Sequence, residues 1–243
     1  MQFITRYVLN PGRFLRLAEY AQPVCALFAV ACFAYGLSLA LWNSPPDYQQ
    51  GETVRIMYIH VPAAWVSILL YTVMAVAAAL GLIGRLAMAD VFCVAAAPVG
   101  AVLTALCLIT GSIWGRPTWG AWWVWDARLT SVLILFLLYC GYIILRHSFD
   151  DHERGGKAGA LLLLVGAVNI PIIHFSVNWW HTLHQPASVF RSSGSAIAPE
   201  MLKPLLVMAL AYCFYTACMV LMRMRAVLFA RRIEATVTDE PKG

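Results

Sequence analysis

The sequence predicts an all-α integral membrane protein with six transmembrane helices, both termini on the cytoplasmic side and a tryptophan-rich segment at the periplasmic face. Three observations carry that prediction. Charged residues make up only 12% of the 243 and hydrophobic residues 61%, whereas a soluble domain carries about 25% charged residues. Six apolar runs of spanning length follow one another along the chain, and about 20 apolar residues cross a bilayer. Lys and Arg gather at alternate ends of these runs, and such residues favour the cytoplasmic side.

Taken in order, Arg6, Arg13 and Arg16 precede the first apolar run, 23–42. That basic flank is like a signal sequence, but the run is too long for a signal h-region, so it is expected to be a retained span. The loop 43–55 is polar and turns at Pro45-Pro46. Span two covers 57–83, interrupted early by Pro62, and a short turn with Arg85 and Asp90 leads to span three, 91–113. The segment 114–130 follows, then span four, 129–145, and a charged loop, 146–157. Span five covers 158–177, where Pro171 removes a backbone donor and predicts a kink. Asn169 is expected to satisfy a carbonyl freed there or to bond across the bundle. The loop 178–200 is polar, span six covers 201–222, and a basic tail closes the chain.

An even number of spans puts both termini on one side. That side collects Arg6, Arg13, Arg16, Arg85, Arg146, Arg154, Lys157, Arg223, Arg225, Arg231, Arg232 and Lys242. The other side has Arg55, Arg116, Arg128, Arg191 and Lys203. The imbalance makes the termini cytoplasmic and turns segments 114–130 and 178–200 outward. The net charge of +5 therefore describes membrane boundaries and is no footprint for nucleic acid.

All nine tryptophans fall in the outer half, five of them (Trp114, Trp119, Trp122, Trp123, Trp125) within one short stretch. An ordinary aromatic belt marks both interfaces, so the asymmetry points to a surface for something flat and apolar. The alternative is a re-entrant segment packed on its own spans. Trp119, Trp122 and Trp123 share a face if that piece is helical, with Trp125 on another side. Gly115, Pro117 and Gly120 predict a turn or irregular loop in the first half.

The seven cysteines all lie inside apolar runs, where Cys acts as a small hydrophobe. No C-x-x-C pair exists, which excludes a thioredoxin-type relay and a covalent c-type haem attachment site. No G-x-x-x-x-G-K-[ST] loop exists, so an ATP-driven step would need a partner.

Of six histidines, His147 and His152 belong to the cytoplasmic loop, while His60, His174, His181 and His184 gather at the outer face. An imidazole near hydrocarbon is a functional hypothesis by default; the plain alternative is a bond across helices to a backbone carbonyl. Zinc would want more ligands of Cys, His or carboxylate type, and copper gives no use for the tryptophans. Haem asks for axial imidazoles, apolar walls and cations for its propionates, and this face has all three. His181 and His184 are three residues apart, on one side of a helix, so the axial set is His60 plus one of them. His174 is a supporting or transient ligand candidate. Arg55 or Arg128 can pair with a propionate bidentately, the alternative being an arginine that snorkels to headgroups. Asp126 is expected to cap the start of span four.

Three stretches then stand out together: WGRPTWGAWWVWDARLT (114–130), YQQGETVRIMYIHVPAAW (48–65) and NIPIIHFSVNWWHTLHQ (169–185). The first resembles the WWD segment of haem-handling membrane proteins. With six spans, the three resemble the haem exporter protein C (CcmC) family of the bacterial cytochrome c maturation pathway over almost the whole chain. The resemblance implies non-covalent haem b at the periplasmic face, with His60 and His184 as axial ligands and Trp114, Trp119, Trp122, Trp123 and Trp125 as haem contacts. It implies presentation to a membrane-anchored haem chaperone, which takes the haem covalently. The implied partners are an ABC transporter (membrane and ATPase subunits) and a small single-span protein in the bacterial inner membrane. Two other classes stay open: a haem permease, against which a mostly apolar bundle interior counts, and a membrane cytochrome b electron carrier, which gives no reason for the tryptophans.

Overall fold

A computed structural model describes residues 10–185, 188–189, 191 and 194–238. Arg6 and Lys242 of the charge count, and positions 186, 187, 190, 192 and 193 of the 178–200 loop, lie outside the described residues. The architecture is all-helical: α1 (Pro11–Ser38), α2 (Met57–Gly84), α3 (Ala87–Trp119), α4 (Ala127–His147), α5 (His152–Gly166), α6 (Asn169–Trp179) and α7 (Pro199–Thr238), with no strand among the described residues. Six helical stretches are long and apolar enough to cross a membrane, α5 and α6 together making the fifth. The chain is thus a multi-pass membrane protein.

The helix ends follow local chemistry. Asn10 caps α1 by accepting from the Arg13 amide, with Pro11 in the first turn, where its missing N–H costs nothing. Asp126 caps α4 through the Leu129 amide at 2.7 Å, as expected. Asp151 caps α5 by accepting from the Glu153 and Arg154 amides, which hold its carboxyl below the usual range. α1 ends in a π turn, Leu39–Asn43, whose Ala40 carbonyl accepts from Arg55.

Span five breaks where Pro171 predicts it. α5 stops at Gly166 and α6 restarts at Asn169, because Pro171 has no amide proton for the Ala167 carbonyl. Asn169 Nδ2 donates across the bundle to the Ser131 carbonyl of α4 at 2.8 Å. That bond fixes the direction in which α6 leaves the break.

Two expectations are corrected. Span six is longer than 201–222: α7 has 40 residues, about 60 Å at 1.5 Å per residue, twice the hydrocarbon thickness of ~30 Å. The first half of the tryptophan segment is helix, not loop, because α3 continues through Pro117 to Trp119. Pro117 leaves only one carbonyl without its donor, and the end of the helix is otherwise well supplied. Thr118 Oγ1 donates to the Trp114 carbonyl at 2.7 Å, Arg116 Nη1 to the Gly120 carbonyl at 2.8 Å and the Gly120 amide to the Arg116 carbonyl at 3.1 Å. The helix stops at Gly120, whose φ of 78° is the left-handed conformation glycine adopts freely.

Large rings seat on glycines in the core. Tyr139 of α4 lies on Gly100 of α3, Tyr142 of α4 on Gly159 of α5, and Tyr71 of α2 on Gly166 of α5. The bundle has two chemically distinct ends. One carries Asp90, held by Arg146 at 3.3 Å and by Arg231, and the His152–Glu234 pair at 2.9 Å. The other carries Gln50, His60, Trp114, Asp126 and His184.

Candidate functional site

α2 and α3 build one half of the site. His60 lies in the first turn of α2 and points at α3, where its Nδ1 stands 3.0 Å from the Cys107 carbonyl and 3.2 Å from Thr110 Oγ1. A carbonyl only accepts, and the Thr110 hydroxyl donates to the Leu106 carbonyl at 2.6 Å. Nδ1 therefore carries the proton, and Nε2 keeps its lone pair. Gly111 makes room for the ring: a Cβ there would meet His60 Cε1 at 2.8 Å. Trp114, one turn on, stands edge-to-face with His60 at 5.7 Å between centroids.

The segment 120–126 and the strap 180–185 build the other half. After Gly120 the chain folds back on α3, where Ser112 Oγ donates to the Trp122 carbonyl at 2.7 Å. Asp126 comes next, buried, and works with both oxygens. Oδ1 caps α4, and Oδ2 lies 3.2 Å from His184 Nδ1 and accepts from the Leu183 amide at 3.3 Å. A carboxylate only accepts, so His184 also carries its proton on Nδ1 and leaves Nε2 free. Burial lowers the His184 pKa and outweighs the opposing pull of Asp126, so the imidazole is neutral at pH 7. Trp119, from the last turn of α3, stands edge-to-face with His184 at 4.9 Å. Both histidines thus lie at the same end of the bundle, each against a tryptophan from the end of α3.

The remaining predicted residues divide. Trp123 packs edge-on to Trp125 at 5.4 Å, and its Nε1 is buried without a partner among the described residues. Trp122 and Trp125 are 59% and 75% exposed, which leaves their indole faces available to a ligand. Since only Trp119 of the three is helical, Trp119, Trp122 and Trp123 do not form one helical face. Arg55 pairs with Glu52 and donates to the Ala40 carbonyl. Arg128 reaches α6, donating to Ser176 Oγ at 3.2 Å and to the Ile173 and His174 carbonyls at 3.4 Å. Both arginines thus serve the fold with part of their donor set and keep further N–H groups. His174 and His181 are exposed, and His174 rests against Phe175 at 4.8 Å. Neither joins the pair formed by His60 and His184.

Sequence reasoning missed three contributors. Gly111 and the Cys107 carbonyl carry no signal of their own. Gln50 lies inside the 48–65 stretch, yet its role depends on folding. Asp47 Oδ1 ties the Gln49 and Gln50 amides at 2.9 and 2.8 Å, and Gln50 Oε1 then accepts from Trp114 Nε1 at 2.8 Å. The first loop thereby fixes the indole that touches His60. Gln50→Leu is expected to cost about 1 kcal/mol of stability, the net worth of one such bond. Gln50→Glu, which keeps an acceptor, is expected to retain it; thermal melts of the three proteins in detergent measure this.

Comparison with known proteins places residues 4–239 within the model of a family described as "Heme exporter protein C". A protein of that name from Bradyrhizobium diazoefficiens is 51% identical over 226 residues, 93% of this chain and 86% of its own. One of the same name from Escherichia coli K12 is 45% identical over 218 residues, 90% and 88% of the two chains. A "Putative cytochrome c biosynthesis ccmC-like mitochondrial protein" from Marchantia polymorpha is 42% identical over 212 residues, 87% and 90% of the two chains.

Proposed function

The chain belongs to the heme exporter protein C family, and from that premise we propose that it holds haem b non-covalently between His60 and His184 at the periplasmic face of the inner membrane. There it presents the haem to a membrane-anchored haem chaperone during maturation of c-type cytochromes. An ABC transporter and a small single-span membrane protein complete the assembly. One observation carries the proposal: two imidazoles from distant parts of the chain stand at the same end of the bundle, each with Nδ1 tied and its Nε2 lone pair free. That is the donor set an axial pair requires, with the tautomer fixed by the outer partner.

The other residues have supporting tasks. Trp114 and Trp119 stand edge-on to the two histidines and hold their ring planes. Trp122 and Trp125 supply apolar surface against the macrocycle, where a water molecule would otherwise compete. Arg55 and Arg128 offer their remaining N–H groups to the propionates. When bound, haem supplies the vinyl group that becomes the point of covalent attachment. The protein orients and exposes that edge and needs no acid–base group of its own.

Two buried hydroxyls deeper in the bundle are turned back on their own helices: Ser67 donates to the Ala64 carbonyl at 2.9 Å and Thr104 to the Gly100 carbonyl at 2.7 Å. Such groups do not line a path, which favours presentation over permeation. The test is the absorption spectrum of the detergent-purified protein beside His60→Gly and His184→Gly. A bis-imidazole haem band that each substitution removes or shifts is the expected result. A wild-type protein that stays colourless when haem is supplied would end the proposal.

A further inference from the structure

We infer that the two axial histidines are unequal: His184, backed by the Asp126 carboxylate, is the ligand that stays, and His60, backed by a neutral carbonyl, is the ligand that yields during transfer. The inference rests on the haem-binding reading above and goes beyond it by assigning a direction to the exchange.

The two outer partners differ in chemistry. His184 Nδ1–H donates to a buried carboxylate at 3.2 Å. That partner accepts two more hydrogen bonds, from the Leu129 and Leu183 amides, which hold it in place. His60 Nδ1–H donates to the Cys107 carbonyl at 3.0 Å, an uncharged acceptor already part of the α3 ladder. A carboxylate draws the Nδ1 proton more strongly and makes Nε2 the better donor to a metal. Of two imidazoles on one iron, the one with the weaker outer partner dissociates more readily.

The backbone around His184 agrees. His184 sits in a strap that is tied at two residues in a row: the Leu183 amide donates to Asp126, and the His184 amide donates to Thr182 Oγ1 at 3.0 Å. During exchange the Nε2–iron bond of His60 breaks as an incoming neutral nitrogen donor forms its own. His60 keeps its lone pair, and no electron or proton changes hands. The incoming partner therefore approaches on the side of His60, Trp114 and the Gln50 turn.

Asp126→Asn is the discriminating substitution. Asn is as good a helix cap as Asp, so α4 keeps its start, but the amide lacks the charge. In a His60→Gly background, where His184 is the ligand left, Asp126→Asn is expected to lower haem retention roughly 10- to 100-fold, the usual effect of removing a ligand's outer partner. In a His184→Gly background it is expected to change retention less than about twofold. Equal losses in both backgrounds would mean that Asp126 acts through the fold, and would overturn the inference.

Two further readouts accompany it. Nitrogen NMR of the apoprotein should report His184 protonated on Nδ1 in the wild type and a changed tautomer population in Asp126→Asn; an unchanged signal counts against the inference. His60→Gly should retain more supplied haem than His184→Gly, a comparison that leaves the cap untouched; equal or reversed order overturns it. Loss of haem binding in the wild type itself would instead refute the haem-binding reading, and the inference with it.

Discussion

Gly111→Val is expected to reduce haem retention to the level of His60→Gly while the helices stay assembled. The imidazole of His60 lies over the bare backbone of α3 at this position, and even a Cβ would come within 2.8 Å of Cε1 and 3.3 Å of Nδ1. The ring has little room to retreat. The Cys107 carbonyl and Thr110 hold one edge, and Trp114 stands against it. Valine adds two methyl groups beyond the Cβ, so the imidazole must leave its hydrogen bonds and swing away from the shared site. Overpacking of this sort typically costs 1–3 kcal/mol, which a bundle of six spans can absorb. The measurement pairs the haem band per mole of protein with a thermal melt. Ile109→Val, on an exposed part of the same helix, should leave the band unchanged. Retention at the wild-type level in Gly111→Val would show that His60 has another seat and that the α3 cradle does not set the ligand.

That Gly111 mattered was not legible in the sequence, and the reason is physical. Hydropathy and spacing report what a residue does within its own helix: the six spans, the break before Pro171 and the cap at Asp126 all follow from neighbours a few residues away. The site is made of pairs that no local pattern encodes. His184 with Asp126, His60 with Cys107 and Trp114 with Gln50 each join segments that only the packed bundle brings together. The resemblance rests on the 48–65, 114–130 and 169–185 stretches and says nothing of how they touch. In the first half of the tryptophan stretch, glycine and proline predict a loop where the structure has helix. Backbone and side-chain donors at the end of α3 instead carry the helix to Trp119, which places that indole against His184. One and the same departure from local expectation thus builds part of the site.

Gly100→Ala is expected to produce the largest loss of stability of the substitutions considered, about 2–5 kcal/mol as the sum of overpacking and a lost buried hydrogen bond. A Cβ at this position would overlap the Tyr139 ring at Cζ and Cε1. Tyr139 is fully buried, its hydroxyl donates to the Ser67 carbonyl at 2.8 Å, and its ring meets Tyr71 edge-to-face at 5.2 Å. Tyr71 is itself seated on Gly166, so a displaced Tyr139 pushes against a ring that has no space behind it. The contact therefore governs the spacing of α2, α3, α4 and α5 at once. Tyr139→Phe alone removes only the hydroxyl and should cost about 1 kcal/mol. Gly100→Ala with Tyr139→Leu, which trades ring for methyl volume, should recover much of the loss. Thermal melts in detergent distinguish these cases, and a double variant no better than Gly100→Ala would locate the strain elsewhere. The spacing also reaches the site, because α3 carries Trp114 and Trp119 and α4 begins at Asp126. A shift of α4 away from α3 draws Asp126 from His184 and leaves His60 in its cradle on α3. Haem held by Gly100→Ala under mild heating should therefore lose its His184 ligation first and keep the His60 signature longest.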